Sequence, residues 1–422
     1  MLGDRPIRVV YVTAYDAAGS RFNGMVLHRA LKRMGCHSDV AVELKTLDDP
    51  HVHALGSRFL RRINRLSVKL EKRLSLQSNL SLLGLSLVRE PYFQQADIVH
   101  LQLLHARSFF SLRHLPGIAC GHRPVLWTLH DPWITTGHCI HSMGCDRWKT
   151  GCGTCPDLSL PLSIKTDRTA LNWSFKQRLL KKSSIHLIVA SRWMERRVAD
   201  SPILSHLPRT VIPFGLDPEI FRPLDKAGCR LKLGIPPGAR VAAVRWVPNN
   251  IFKGTQYAEQ ALLHLPEGLI THVLCFESDG GADVAALRQR YTVVPLKWIH
   301  EDEGTDVATA MNAADVFLMP SLEETFGMMA IEALACGTPT VVFEGTSLPE
   351  VVDAPRCGIS VPRENVEALA AAITAVMGNA VLRQSLIANG LDLVAREYTQ
   401  SQYVSRHLLL YRQLLEKSAT SV

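Results

Sequence analysis

Short apolar runs alternate along this chain with longer stretches in which apolar residues recur every three or four positions. In the first half the short runs are Ile7–Val12, Ser38–Val42, Asp97–Leu101, Val125–Leu129 and His186–Ala190. Their length and β-branched content predict buried strands, separated by segments long enough for crossover helices. The first run leads into a glycine-containing loop, Ala17–Gly24, and then into a helical stretch, Met25–Met34, closed by Gly35. Strand, loop and helix in that order open a doubly wound parallel sheet.

The second half repeats the pattern with Val241–Val244, Thr271–Phe276, Thr292–Pro295, Val316–Met319 and Thr340–Phe343. The expected architecture is therefore α/β, two Rossmann-like doubly wound domains in tandem. The join is predicted near Thr210–Pro223, where Pro213, Gly215, Pro218 and Pro223 interrupt regular structure. This gives a first domain over 1–210 and a second over 211–400, with a helix at about 401–417 predicted to pack back on the first domain. That last helix carries Tyr403, His407, Leu408, Tyr411 and Leu415 on one stripe, which has to be buried.

A length of 422 residues suits two cores better than one. The apolar run at the N-terminus is too short for a signal-peptide core, and no stretch reaches the length of a spanning helix. The expectation is a cytoplasmic protein, peripheral on the membrane's inner face if it meets one. The net charge of +8 conceals an asymmetry: residues 1–210 hold 30 Lys and Arg against 15 Asp and Glu, and residues 211–422 hold 17 against 24. The halves are +15 and −7, so the first is expected to face something anionic, either a lipid headgroup surface or a phosphorylated acceptor. Nucleic acid is not the expected partner, because the chain lacks C2H2 finger spacing, an RNA-recognition signature and a basic region followed by heptads.

The densest basic segment is 57–74, in which Phe59, Ile63, Leu66, Leu70 and Leu74 recur at helical spacing and Arg58, Arg61, Arg62, Arg65, Lys69, Lys72 and Arg73 fill most other positions. Two readings stand side by side: a helix lying in an anionic bilayer interface, or an ordinary helix docked on the sheet with its charges in water.

The strongest local signal runs from Pro320 to Pro339, PSLEETFGMMAIEALACGTP. A buried strand should end at Pro320, Glu324 should sit in the following loop, and a helix should begin near Gly327. Its first N–H groups, from Phe326 to Met329, would be unpaired donors at a positive helix end, suited to phosphate or sugar oxygens. Glu332 would lie further along that helix. The run resembles the signature of the retaining glycosyltransferases of the group 1 family (family 4), which includes bacterial sucrose synthases, phosphatidylinositol mannosyltransferases and many capsule and exopolysaccharide transferases. Five further segments agree in order: Ala96–His100, Thr128–Asp131, Val189–Trp193, Val211–Asp217 and Ala313–Phe317.

That resemblance implies the GT-B fold, with its two domains facing each other across a cleft, and a nucleotide-sugar donor carrying UDP or GDP. It also implies roles for individual residues. Glu324 resembles the residue that holds the hydroxyls of the transferred sugar, and Glu332 the one that binds ribose. Lys253 resembles the lysine that neutralises the donor diphosphate, with Arg245 as its partner. Gly19 resembles the glycine that approaches the phosphates, and His130 the histidine that reaches the donor sugar from the acceptor side. The implied acceptor is a sugar or a polyprenyl-linked oligosaccharide in exopolysaccharide, capsule or lipopolysaccharide synthesis. No catalytic metal is expected, since positive side chains and helix N–H groups can stabilise the leaving group. The alternatives are another GT-B enzyme, such as an epimerase or phosphorylase, and a sugar-nucleotide binding protein without catalysis.

Cys139, Cys145, Cys152 and Cys155 follow His130 closely, with His138 and His141 among them. Their spacing in a chain without a secretion signal leaves three readings: a structural zinc site, paired thiols, or unliganded cysteines. The segment resembles one in the colanic-acid transferase subgroup. The other six cysteines read as core residues.

Overall fold

The computed structural model describes residues 6–17, 21–119, 123–276, 282–297 and 304–420. The chain divides into two compact units, Met1–Ile212 with Val404–Val422, and Pro213–Tyr403. The first contains seven parallel strands: β1 (Arg8–Tyr15), β2 (His37–Leu44), β3 (Val52–Ala54), β4 (Ile98–Leu101), β5 (Val125–Leu129), β6 (His186–Val189) and β7 (Arg209–Val211). They lie in the order β3-β2-β1-β4-β5-β6-β7. The second contains β8 (Val241–Arg245), β9 (His272–Phe276), β10 (Thr292–Leu296), β11 (Val316–Met319), β12 (Thr340–Phe343) and β13 (Ile359–Val361), in the order β10-β9-β8-β11-β12-β13.

All ten strands expected from the apolar runs are present. The three unexpected ones, β3, β7 and β13, are three residues each. All three are edge strands, so their side chains are only partly buried and no apolar run marks them. Strand β7 also shows that the proline-rich join is regular at its start, since Val211 still pairs with Val189. The central strands are buried on both faces, as in β4, β5, β11 and β12.

The helix Gln400–Thr420 begins in the second unit, and from Val404 on it belongs with the first. Tyr403, Val404, His407, Leu410 and Tyr411 are its buried stripe. Tyr411 on this stripe joins a buried polar cluster. His100 on β4 shares its Nδ1 with Tyr411 Oη at 2.6 Å and its Nε2 with Thr128 Oγ1 at 2.7 Å, and Tyr11 Oη lies 3.1 Å from Tyr411 Oη. Burial pushes the His100 pKa well below its ordinary value, so the ring is neutral. Of the cysteines outside the 139–155 segment, Cys229, Cys275, Cys336 and Cys357 are buried, but Cys36 is only half-buried, a departure from the core role expected of it. Cys120 lies outside the described residues. No single helix among the described residues is long and apolar enough to cross a membrane; the pair Val366–Gly378 and Ala380–Glu397 is so only in combination and bends by 95° between them.

Candidate active site

In each sheet the strand order reverses beside the first strand, between β1 and β4 in one unit and between β8 and β11 in the other. Loops leaving the two strands there run in opposite directions, which opens a crevice at the carboxyl ends. In the second unit this crevice gathers most of the residues singled out from the sequence.

Arg245 is the last residue of β8, and Lys253 ends the short helical turn Ile251–Lys253 just beyond it. Asn250 starts that turn by accepting the Phe252 N–H at 3.1 Å. Gly254 then turns the chain with φ +64°, and a Cβ at that position would stand 1.9 Å from the Pro320 carbonyl oxygen. Only glycine lets the two loops meet backbone to backbone. The contact is completed by the Leu322 N–H donating to Phe252 O at 2.8 Å. Its consequence is an ion pair: Lys253 Nζ lies 2.8 Å from Glu324 Oε2, with 13% and 15% of the two side chains exposed. The Glu324 backbone is pinned in turn, its carbonyl accepting from Ser347 Oγ at 3.1 Å and from the Ser347 N–H at 3.3 Å.

Gly327, at φ +96°, is the residue before the helix Met328–Ala335, and a Cβ there would fall 2.3 Å from Leu348 Cδ2. Met328, half-buried, is the first helical residue. Phe326 is buried, edge-on to Phe214 at 5.2 Å and to Tyr398 at 5.7 Å. Its ring is thus a packing element, and only its backbone is available to a ligand. Glu332 is wholly buried on the helix, 0% exposed. The structure therefore brings together Lys253, Glu324 and the Gly327 helix end, with Arg245 on the adjoining strand end, and keeps the Glu332 carboxylate inside.

The first unit presents a different chemistry. Gly19 lies outside the described residues. His130 follows β5, and its Nε2–H donates to Gln102 Oε1 at 2.7 Å. Gln102 directly follows β4 and accepts the Trp127 indole N–H on its main-chain oxygen at 2.9 Å. Burial lowers the His130 pKa to about 4, so the imidazole is neutral at pH 7. One pocket is lined by Gln102, His105, His130, Asp131 and Trp133. Asp131 pairs with His105 at 3.2 Å and accepts the Trp133 N–H at 3.0 Å, which starts the turn Pro132–Thr135. Sequence reasoning passed over Gln102 and His105, although the polar residues in His100-Leu-Gln-Leu-Leu-His105 interrupt an apolar run and were the available signal.

Beneath that turn lies Lys176, wholly buried, donating to Trp133 O at 2.7 Å and to Thr136 O at 2.9 Å. Its Nζ stands 3.7 Å from the Trp133 ring centroid, and burial lowers its pKa to about 7. Cys139, Cys145, Cys152 and Cys155 line one pocket with His138, and Cys155 Sγ is 3.4 Å from His138 Nε2. Burial raises the thiols of Cys139, Cys152 and Cys155, Cys152 to about 11. The donor set has the soft chemistry that zinc favours. Its spacing does not yet suit an ion: among the described residues, no group of three or more His, Cys, Asp or Glu side chains could hold one.

Comparison with known proteins fits this geometry. Residues 291–392 match the family model of glycosyl transferases group 1. The matched stretch contains Glu324, Phe326, Gly327, Met328 and Glu332, and leaves out Lys253, Arg245 and the first unit. The chain is 31% identical over 219 residues to the D-inositol 3-phosphate glycosyltransferase of Saccharomonospora viridis, covering 49% of this chain and 50% of that one. It is 34% identical over 154 residues to the enzyme of the same name from Mycobacterium tuberculosis, covering 34% and 30%. The chain spans about half or less of the length of these curated relatives.

Over nearly its full length it resembles solved structures. Sucrose-phosphate synthase from Thermosynechococcus elongatus superposes with a TM-score of 0.68 at 19% identity, covering 98% of this chain and 100% of that one. Anabaena HepE in complex with UDP and glucose gives 0.67 at 14% identity, covering 96% and 100%. WaaG, a glycosyltransferase involved in lipopolysaccharide biosynthesis, gives 0.64 at 15%, covering 94% and 98%. At these identities the likeness shows the fold, which is the GT-B architecture of two parallel α/β sheets.

Proposed function

We propose that the chain is a retaining glycosyltransferase that moves a sugar from a nucleotide-sugar donor to a sugar or polyprenyl-linked acceptor. The observation that carries this reading is the Lys253–Glu324 pair at the strand-order reversal, next to the Gly327 helix end. Breaking the anomeric bond sends an electron pair to the departing diphosphate, and Lys253, Arg245 and the helix N–H groups are arranged donors for that charge. Glu324, ionised beside Lys253, is suited to accept hydrogen bonds from sugar hydroxyls. Neutral His130, fixed by Gln102, is suited to bond a hydroxyl without a counter-ion. For Glu332 the ribose role rests on the resemblance alone, since its burial requires the wall around it to open.

UDP is the first donor nucleotide to test, because HepE has been solved with UDP and with UDP-glucose; GDP is the second. Exopolysaccharide, capsule or lipopolysaccharide synthesis is the pathway class, on the inner membrane face. The relatives named for inositol 3-phosphate make a phosphorylated acceptor the variant to include, and the +15 balance of residues 1–210 favours an anionic one. The test is a panel of UDP- and GDP-sugars assayed for donor hydrolysis, with Glu324→Gln beside the wild type. Losing a charged hydrogen bond of about 1.5 to 3 kcal/mol should lower turnover about ten- to a hundredfold with the fold retained, the melting temperature falling only as far as loss of the Lys253 ion pair requires. Wild-type turnover in the variant would remove Glu324 from the site.

The thiol pocket is read as a structural zinc site whose side chains would have to draw together from their present spacing to hold the ion, stiffening the segment after His130. Four thiols and an imidazole on one pocket support that reading, and buried Lys176 nearby would offset the charge of a zinc–thiolate centre. Elemental analysis should find about one zinc per chain, and Cys139→Ser should lower both zinc content and melting temperature. Metal-free protein with unchanged melting in the variant would leave the thiols unliganded.

A further inference from the structure

The helix Arg58–Arg73 is packed the opposite way from an ordinary surface helix. Its fully buried side chains are polar, Asn64 and Glu71. The Glu71 carboxylate accepts three backbone N–H groups, from Ser78 at 2.8 Å and from Asn79 and Leu80 at 2.7 Å each. Asn64 Oδ1 accepts the Leu82 N–H at 2.6 Å and the Ser81 hydroxyl at 3.0 Å, and the Ser67 hydroxyl donates to Leu80 O. These bonds dock the helix on the 78–82 segment. Its apolar stripe takes no part: Phe59 is 72% exposed, Leu66 65%, Leu70 49%, and Ile63 and the adjoining Leu74 are also exposed.

At roughly 100° per residue, three sectors follow one another around this helix. Leu60, Asn64, Ser67 and Glu71 face the protein. Phe59, Ile63, Leu66, Leu70 and Leu74 form the next sector. Arg58, Arg62, Arg65, Lys69, Lys72 and Arg73, all exposed, fill the one beyond. Arg61 is the exception among the cations, folding back to Leu55 O at 2.8 Å and Gly56 O at 3.1 Å. Glu71 is the only acidic residue in the helix, and it is buried.

A contiguous apolar strip of this kind left in water marks an interaction surface. Its flanking charge selects the occupant. A second copy would bring the same six cations against these, and a neutral apolar surface would leave them unused. We propose that the helix lies in the headgroup region of an anionic bilayer, with Phe59, Ile63, Leu66 and Leu70 inserted toward the acyl chains and the basic sector on the lipid phosphates. Docking through Asn64 and Glu71 leaves the strip free to insert without any unfolding. The binding itself is independent of the transferase reading, which only supplies its purpose, access to a lipid-linked acceptor.

The test uses the full chain and vesicles of phosphatidylcholine with or without phosphatidylglycerol. Wild type should sediment with the anionic vesicles and be released as salt rises, since charges near the surface are screened over about 10 Å at 0.1 M. The triple variant Phe59→Ser, Leu66→Ser, Leu70→Ser should bind at least about tenfold more weakly, as each inserted side chain contributes to partitioning. Arg62→Gln, Arg65→Gln, Lys69→Gln should abolish the preference for anionic lipid. Phe59→Trp should show a blue-shifted emission on adding anionic vesicles, a readout that mere electrostatic adsorption would not give. These side chains are exposed, so melting curves should match wild type. Equal binding by wild type and the serine variant, an unshifted emission from the Phe59→Trp variant, or a dimer in sedimentation velocity that the serine variant dissolves would each overturn the proposal. Donor hydrolysis measured without vesicles reports on the transferase reading separately and should be the same in both triple variants.

Discussion

The two units place their strand-order reversals alike and furnish them differently. Between β8 and β11 the second unit holds a charged pair, Lys253 and Glu324, on two loops locked together through Gly254 and Pro320. At the ends of β4 and β5 the first unit holds a neutral pair, His130 and Gln102, in a pocket with His105 and Asp131. On the function proposed above, one fold supports two kinds of site. The charged one suits an anion whose charge grows during reaction, because fixed donors stabilise developing charge without reorganising. The neutral one suits orientation of a hydroxyl, because an imidazole held uncharged by burial donates or accepts without a counter-ion.

The contrast predicts which perturbations each unit tolerates. The largest effect is expected from Gly254→Ala, where a Cβ would overlap the Pro320 carbonyl and the backbone sits at positive φ. A loss of about 3 kcal/mol or more in the stability of the second unit is expected, read by denaturant unfolding. A variant as stable as wild type would mean that the loops are not locked.

Acid should act chiefly on the first unit. Folded His100 and His130 are held neutral, His130 down to about 4, whereas in the unfolded chain each takes a proton near 6.5. Below pH 6.5 the unfolded chain therefore binds more protons, and stability falls as pH falls, by up to about 1.4 kcal/mol per pH unit for each histidine. The loss should run from pH 6.5 downward and, for His130, level off near 4. Melting temperatures at pH 7.5, 6 and 5 should decline, and a flat profile would contradict buried neutral rings. The smallest effect is expected from Gln102→Leu, which removes one hydrogen bond from His130 worth about 1 kcal/mol. Turnover should drop severalfold with KM for the donor nucleotide little changed, and a large change in nucleotide KM would instead tie Gln102 to the second unit's chemistry.

Much of this molecule is legible in the order of its residues. The ten longer strands are, because each carries an apolar run, continuous where the strand is buried on both faces. The short strands β3, β7 and β13 are not, because three partly buried residues at a sheet edge make no such run. The residues of the second unit's crevice stand out through one ordered run, Pro320 to Pro339, and through Lys253. Their pairing does not, because it depends on Gly254 meeting Pro320, two positions far apart in the chain. Phe326 and Glu332 show what the structure adds: the backbone N–H of Phe326 and the carboxylate of Glu332 were the expected ligand contacts, and the fold packs the Phe326 ring against Phe214 and Tyr398 and buries Glu332.

The helix Arg58–Arg73 divides the two kinds of information most sharply. Periodicity determined that it is a helix and where its apolar and basic sectors lie, since both follow from 3.6 residues per turn acting on a fixed order of side chains. Which sector faces the protein was decided only in three dimensions. An apolar stripe gains by burial against any apolar surface, but here the neighbouring 78–82 segment offers backbone N–H groups that need acceptors, and Glu71 and Asn64 satisfy them. Leaving those donors buried without partners would cost roughly 1 to 3 kcal/mol each, a penalty that this docking avoids.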